Sequence, residues 1–320
     1  MREHLPPAPV ASPPSVPPVP QKPACDWNKG PTTCVGDDVF ECTSANQVGE
    51  RLMSCDGACR SGACAKTCAL RDVELIYVID NESNLMRFDP RKLPDEPFET
   101  VGRLACSSQG PNSMAVDHNG VAWVNFHDGT LYRVSVIDGH CASQGTIPEG
   151  APAQFGMGFV SDDPKSGVEY LMGTDRVTQD KLPQLARIDL STQPPRWQYV
   201  AAMQFKEQQE QNPELTGTGD GKLFTYVSKP GRGYVQEVSR TTGELTGPQW
   251  KIPGTAARAN AWAFAHYAGV FYVFVTFDNN SMVYAIHKAS GKVEMVREKL
   301  PNRIVGAGVS TCAPLLEAPP

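Results

Sequence analysis

The stretch "RIVGAGVSTC", residues 303 to 312, decides the fold, because it has the pattern of a strand but no partner strand beside it in the sequence. Small and β-branched residues dominate it up to Cys312, which is typical of a buried strand. A buried strand must pair its backbone N–H and C=O groups, so a partner for this stretch has to lie far back in the chain.

Repeated four-strand units occupy the chain that precedes this stretch. The clearest unit, residues 113 to 147, reads "SMAVDHNGVAWVNFHDGTLYRVSVIDGHCASQGTI" and contains four strand patterns, two of them joined by an Asn-Gly turn. Similar units begin at "FGMGFVSD", "ELTGTGDG" and "AWAFAHYAG". Four-stranded units that recur every ~45 residues are typical of a β-propeller.

The first unit, which begins at "ELIYVIDNESNLMRFDP", has only the second, third and fourth strands of such a unit. We expect residues 303 to 312 to supply its innermost strand, so that the ring closes without an exposed sheet edge. The sequence therefore predicts an all-β fold, a β-propeller of five four-stranded blades closed by the C-terminal strand. A sixth blade would require a degenerate copy within residues 155 to 213.

Composition divides the chain into four segments. Residues 1–24 contain nine prolines and are predicted to form an extended, disordered tether. Residues 25–68 form a cysteine-rich module that has few apolar residues and needs disulfides in place of a core. The propeller is assigned to residues 69–313, and residues 314–320 form a tail.

Ten cysteines suggest a disulfide framework and an oxidising compartment, whereas the alternatives are zinc binding or a cytosolic chain with reduced thiols. Six of them can pair within the module, in an order that the sequence leaves open: Cys25, Cys34, Cys42, Cys55, Cys59 and Cys64. The leftover Cys68 is predicted to bond Cys312 and clamp the propeller's ends. Cys106 and Cys141 are predicted to join neighbouring blades.

Charge and hydropathy exclude two classes of partner. The net charge is −6 and no run of Lys or Arg is present, so a nucleic-acid partner is not expected. No apolar stretch approaches the ~20 residues of a membrane-spanning helix. We expect an extracellular or outer-membrane, cell-surface location, with an export signal that this sequence does not include and a lipid anchor in the precursor left open.

Several segments resemble a family of secreted proteins or lipoproteins from myxobacteria and related deltaproteobacteria. They are "SMAVDHNGVAWV", "FGMGF", "ELTGTGD", "NAWAFAHYAG" and "IVGAGVSTCAP". The stretches "CVGDDVFEC" and "GACRSGAC" resemble a cysteine-rich module that is often fused ahead of such domains. The resemblance implies placement in the cell envelope or outside the cell, and it implies no established activity.

Polar residues in the loops between second and third strands, and between blades, are the candidate ligand-binding residues. They are Asp80, Asn81, Asn112, Asn125, His127, Asp175, Arg176, Arg232, Asn260, Asp278, Asn279 and Arg303. Trp262, on an inner strand, is a further candidate and is expected to line the central channel. Tight turns also favour Asp and Asn, so local turn chemistry is the alternative explanation for most of them. His118, in the Asn-Gly hairpin on the opposite face, is predicted to be a solvated turn residue.

These residues favour a surface-displayed binding module that engages a glycan, a peptide or a protein through the loop face. The alternatives are a structural envelope component and a Ca²⁺-dependent hydrolase or lactonase. The calcium ligands would come from Asp80, Asn125, Glu214, Asn260 and Asp278. No catalytic residue is assigned, because neither an H-E-x-x-H nor a G-x-S-x-G motif is present and every cysteine can be paired. Apart from calcium, no cofactor is expected.

Overall fold

The computed structural model describes residues 25–29, 31–36, 38–54, 59–60, 63–64, 68, 72–147, 150–162, 168–176, 181–205, 212–229, 232–253 and 259–316. The predicted tether, residues 1–24, and the last four residues of the tail lie outside this range. The all-β prediction is confirmed, since the helical segments described are two 3₁₀ turns, Trp27–Lys29 and Pro90–Lys92. In the described part of the chain, no helix is long and apolar enough to cross a membrane.

The cysteine-rich module contains a three-stranded sheet and a short hairpin. Its strands are β1 (Thr32–Val35), β2 (Asp38–Cys42), β3 (Val48–Ser54), β4 (Cys59–Arg60) and β5 (Ala63–Cys64). Disulfides join Cys25 to Cys42 and Cys34 to Cys59. Cys55 and the side chain of Cys64, which were also expected to form disulfides within the module, lie outside the described residues and side chains. The module lies against the second repeat, where the Trp27 ring meets the edge of the His140 ring at 4.6 Å.

Twenty further strands follow. They are β6 (Ile76–Asp80), β7 (Asn84–Phe88), β8 (Phe98–Arg103), β9 (Pro111–Val116), β10 (Val121–Phe126), β11 (Thr130–Ser135), β12 (Cys141–Thr146), β13 (Gly156–Ser161), β14 (Glu169–Thr174), β15 (Gln184–Asp189), β16 (Arg196–Ala202), β17 (Glu214–Gly217), β18 (Leu223–Lys229), β19 (Arg232–Val238), β20 (Leu245–Pro253), β21 (Ala259–Tyr267), β22 (Val270–Phe277), β23 (Asn280–His287), β24 (Val293–Leu300) and β25 (Ile304–Val309).

These strands form five antiparallel sheets of four strands each in the described part of the chain. Sheet 1 has the order β25-β6-β7-β8, and sheets 2 to 5 are β9–β12, β13–β16, β17–β20 and β21–β24. Strand β25 lies within residues 303 to 312, the stretch that had no partner nearby in the sequence. It pairs antiparallel with β6, with Ala307 opposite Val78. The distant partner that its pattern required is therefore the first strand of the repeat region.

The first strands of the five sheets contact one another in the order β25, β9, β13, β17, β21 and back to β25. Their small residues have a steric reason. A Cβ atom added at Gly158 would lie 2.8 Å from the Leu215 carbonyl oxygen, and one added at Gly308 would lie 2.8 Å from the Ala115 carbonyl carbon. Backbones approach so closely there that a larger residue would push neighbouring sheets apart.

Aromatic and aliphatic side chains fill the space between neighbouring sheets. Between sheets 4 and 5, for example, Phe224 meets Phe271 at a centroid distance of 4.8 Å, and Phe88 of sheet 1 meets Phe274 of sheet 5 at 5.2 Å. Both packings are edge-to-face, the arrangement that aromatic quadrupoles favour. Sheets 1 and 5 are therefore packed against each other by the same kind of apolar contact as sheets 4 and 5.

Two disulfides join segments of the repeat region, and both are the bonds predicted from the cysteine count. Cys68 bonds Cys312 across a sequence separation of 244, and Cys106, which follows sheet 1, bonds Cys141 at the start of β12. In the chain-entropy description, a cross-link over a loop of that length stabilises the fold by on the order of 5 kcal/mol.

A polar cluster beside the Cys68–Cys312 bond joins sheets 2 and 3 to the segment after β25. Nδ1 of His118 lies 2.6 Å from Oε1 of Glu169, and the Thr311 hydroxyl donates to Oε2 of Glu169 at 2.7 Å. Burial lowers the pKa of His118, but the Glu169 carboxylate more than offsets this, so the net shift is upward. The prediction of a solvated turn residue was wrong, because a carboxylate from another sheet reaches this hairpin.

Candidate functional site

One cavity lies where the five first strands begin. Its volume is about 320 Å³, and each of the five four-stranded sheets contributes to its wall. The lining residues are Asn81, Gly110, Pro111, Asn112, His127, Gln154, Phe155, Gly156, Thr174, Asp175, Arg176, Asn212, Pro213, Glu214, Asn260, Ala261, Trp262, Arg303 and Val305. Its size is at the lower end of the range found for small-molecule sites in proteins.

Eight of the predicted binding residues line this cavity: Asn81, Asn112, His127, Asp175, Arg176, Asn260, Trp262 and Arg303. The topology brings them together, because the loops after second strands and the loops before first strands meet at the same end of each sheet. The side chain of Arg232, also predicted, lies outside the described part of the structure.

Four predicted residues do not line the cavity: Asp80, Asn125, Asp278 and Asn279. The Asp80 carboxylate accepts hydrogen bonds from the N–H groups of Glu82 and Asn84 and from the side-chain amide of Asn302 at 2.7 Å. Asp278 and Asn279 have φ values of 47° and 65° in the tight turn between β22 and β23. For these three residues, the turn chemistry that was the alternative explanation accounts for the residue type.

Two amide side chains hold one side of the cavity in place. Nδ2 of Asn112 donates to Oδ1 of Asn125 at 3.1 Å and to the carbonyl of Phe155 at 3.0 Å. Nδ2 of Asn125 in turn donates to the carbonyl of Ala153 at 3.1 Å. Asn125 is fully buried, so its role is to fix Asn112 and the approach to β13 rather than to contact a ligand.

Glu214 is the most unusual group in the cavity wall. The Ser113 hydroxyl of sheet 2 donates to its Oε1 at 2.5 Å, and the Met157 N–H of sheet 3 donates to the same oxygen at 3.0 Å. Burial raises the pKa of Glu214 to about 8, against the lowering effect of these two hydrogen bonds. At neutral pH the carboxyl group is therefore largely protonated and able to donate a hydrogen bond.

Only a weak indication of this arrangement is present in the sequence. Glu214 begins the strand pattern "ELTG", and Ser113 lies in the otherwise apolar "SMAV". A polar residue at a buried strand position needs a partner, but nothing in the sequence shows that these two residues, 101 positions apart, are partners. The missing information is the contact between sheets.

The charged residues of the cavity are not balanced. Nζ of Lys181 lies 3.6 Å from Oδ2 of Asp175, and the Gln184 N–H donates to Oδ1 of Asp175. The guanidinium group of Arg176 donates to Oε1 of Gln154, which is uncharged. Among the described residues, no carboxylate lies within ion-pair distance of Arg176 or Arg303. Among the described residues, the guanidinium groups of Arg176 and Arg303 therefore have no carboxylate partner in the cavity.

Trp262 adds an aromatic surface. Its Nε1–H donates to the carbonyl of Asn212 at 3.1 Å, which leaves the carbon surface of the ring as its contribution to the cavity. On the neighbouring sheet 1, whose strand β25 contacts β21, the backbone N–H of Arg303 donates to Oδ1 of Asn81 at 2.9 Å, so this contact is made by a backbone group of Arg303.

The five residues proposed as calcium ligands are not gathered in one place. Glu214 and Asn260 line the cavity, whereas Asp80, Asn125 and Asp278 have the positions given above. Among the described residues, no group of three or more His, Cys, Asp or Glu side chains could hold a metal ion. A bound calcium ion stays a prediction that this structure does not test.

Comparisons with known proteins add little. No family model matches the chain, and no curated protein matches it. Among solved structures, a chain in "Crystal Structure of Mitotic Checkpoint Complex" is similar over 75% of this chain and 79% of that chain, at 9% identity and a TM-score of 0.39. A similarity of this extent carries no argument about the fold or the function.

Proposed function

We propose that this chain is an exported binding protein, a β-propeller of five blades that holds a small polar unit of a glycan or peptide in the cavity at the start of its first strands. The observation that supports this most directly is convergence. Seven residues chosen from the sequence because they occupy loops on one face, and Trp262, chosen as an inner-strand residue, line a cavity to which all five sheets contribute.

The chemistry of the wall also supports binding of a polar ligand. Amide, guanidinium, imidazole and carboxyl groups line the cavity together with the aromatic side chains of Phe155 and Trp262, which matches the usual composition of small-ligand sites, a few polar groups beside apolar surface. Asn112 is fixed by hydrogen bonds, and a group held in advance loses less conformational entropy when a ligand binds.

The disulfides support the exported part of the proposal. Four disulfides occur among the described residues, and such bonds persist mainly in oxidising compartments. The cell surface or the extracellular space is accordingly the proposed location, with an unknown surface glycan, peptide or protein as the partner.

A glycan and peptide array tests the proposal. The wild-type protein is expected to bind a subset of the array, and Trp262→Ala is expected to lose that binding by at least ~10-fold, because the ring surface in the cavity is removed. Tyr199→Ala is the matched control, since Tyr199 is an aromatic residue 58% exposed on β16, away from the cavity. Binding that Trp262→Ala leaves unchanged, or that Tyr199→Ala abolishes, would refute the cavity as the site.

A further inference from the structure

The charge balance of the cavity indicates which polar ligand it prefers. Arg176 and Arg303 are the two guanidinium groups in the wall, and neither has a carboxylate partner among the described residues. Of the acidic residues in the described part of the wall, Asp175 is already offset by Lys181, whose Nζ lies 3.6 Å from Oδ2 of Asp175. A ligand that enters the cavity therefore meets a net positive environment, although the chain as a whole has a net charge of −6.

The second carboxyl group of the wall reinforces this preference instead of opposing it. Glu214 accepts from Ser113 and from the Met157 N–H through one oxygen, Oε1. Because burial raises its pKa to about 8, Glu214 is largely neutral at pH 7 and does not repel an anion. Its second oxygen then carries a proton, which makes it a hydrogen-bond donor for a ligand oxygen.

The aromatic side of the cavity points to the rest of the ligand. Because the Nε1–H of Trp262 is occupied by the Asn212 carbonyl, the ring offers carbon surface, against which the C–H face of a sugar ring can pack. Amide groups of Asn81 and Asn260 lie in the same wall and suit hydroxyl groups. A cavity with positive charge, an aromatic surface and amide groups is suited to bind an acidic sugar.

We infer that the cavity selects a sugar that carries a carboxylate, a uronic acid unit, which is bound through Arg303 and Arg176 with its ring beside Trp262. This inference rests on the proposed binding function and specifies its ligand class. A planar guanidinium can donate two parallel hydrogen bonds to a carboxylate, which accounts for arginine rather than lysine at these positions.

Calorimetric titration of the full chain tests the inference with galacturonate, its neutral methyl ester, galactose and inorganic phosphate as probes. Galacturonate is expected to bind at least ~10-fold more tightly than the methyl ester, and Arg303→Gln is expected to remove most of that difference by weakening galacturonate binding much more than methyl ester binding. The contact of Arg303 with Asn81 uses the backbone N–H, which Arg303→Gln retains, so the substitution is not expected to disturb the fold. Arg196→Gln, at an exposed arginine on β16, is the matched control and is expected to behave as wild type.

The pH dependence provides an independent readout. Among the described residues, the titratable groups that line the cavity are His127, Asp175 and Glu214, besides Arg176 and Arg303. Between pH 7 and 9.5, galacturonate affinity is expected to fall as Glu214 ionises, since the pKa of this group is about 8. The Glu214→Gln variant, which keeps a donor and cannot ionise, is expected to bind galacturonate with no such fall.

The outcomes separate this inference from the proposal on which it rests. Equal binding of galacturonate, methyl ester and galactose, all lost in Trp262→Ala, would overturn the acidic-sugar inference and leave the binding function in place. Tighter binding of phosphate than of galacturonate would overturn the carboxylate assignment. If galacturonate does not bind at all the inference fails, and if the glycan and peptide array is also blank the proposed function fails with it. A free uronate and an acidic polysaccharide share this chemistry, and the array distinguishes them by chain length.

Discussion

Replacing Glu214 by Gln is expected to make the protein more stable, and increasingly so as the pH rises. The Gln side chain keeps an oxygen that can accept from Ser113 and from the Met157 N–H, so neither donor is left unpaired. What changes is the titration. The wild-type carboxyl group must stay neutral in the folded protein up to pH 8, whereas in the unfolded chain it ionises at its ordinary pKa of 4.5.

The sign and the size of this effect follow from proton linkage. Between pH 4.5 and 8 the unfolded chain has lost the Glu214 proton while the folded protein retains it, so the free energy of unfolding falls as the pH rises. A pKa raised from 4.5 to about 8 lowers the free energy of unfolding by on the order of 4 kcal/mol, because ionisation stabilises the unfolded state. The Gln variant has no such ionisation and does not lose this stability. The advantage of Glu214→Gln is therefore small near pH 4.5 and greatest above pH 8.

Urea unfolding of oxidised wild-type and variant protein at pH 5, 7 and 8.5 measures this difference directly. Other groups titrate in both proteins, so their effects cancel in the comparison. Glu244→Gln serves as the control, because Glu244 is exposed and its replacement is expected to change nothing with pH. A constant difference between Glu214→Gln and wild type from pH 5 to 8.5, or a variant that becomes less stable, would refute the description of a buried neutral carboxyl group.

Three further changes test the closure of the fold. Replacing both Cys68 and Cys312 by Ser is expected to lower the free energy of unfolding by roughly 2–5 kcal/mol, measured by urea unfolding, and no loss would show that the bond does not clamp the chain ends. Thr311→Val removes the hydroxyl that joins the segment after β25 to sheet 3 and is expected to cost about 1 kcal/mol in the same assay; an unchanged midpoint would count against that contact. Gly308→Ala is expected to lower the free energy of unfolding by ~1–3 kcal/mol, because the added Cβ would lie 2.8 Å from backbone atoms. Gly102→Ala is the control and is expected to cost less, because its added Cβ would lie 3.6 Å from the nearest atom. Equal effects of the two substitutions would contradict the crowding of the first strands.

The repeat pattern predicted much of the fold, because alternation and turn chemistry are local properties of the sequence. The Asn-Gly turn after His118 and the strand patterns on either side of it could be identified without any long-range information. The pairing of β25 with β6 could also be predicted, since the first repeat lacked its innermost strand and the C-terminal strand belonged to no other repeat. The bonds of Cys68 and Cys106 could be predicted from the number of cysteines, since six of the ten can pair within the module.

What the sequence could not give is the contact between sheets. The Ser113–Glu214 hydrogen bond and the His118–Glu169 pair each join residues of different repeats, and no local pattern encodes such a pair. For the same reason the sequence identified the candidate loop residues as a group, but it could not show which of them line the cavity. Asn112 and Asp278 both belong to polar loop segments, yet only Asn112 lines the cavity.

The most direct test of the central claim is an NMR titration of the indole N–H signals. The chain has five tryptophans, and the Nε1–H of Trp262 alone among them is bonded to the Asn212 carbonyl at the cavity wall. On addition of galacturonate, the Trp262 signal is expected to shift saturably while the signals of Trp27, Trp123 and Trp250 stay in place. Saturable binding seen by calorimetry with no shift at Trp262, or with shifts confined to Trp27 or Trp250, would contradict the claim that this cavity is the binding site.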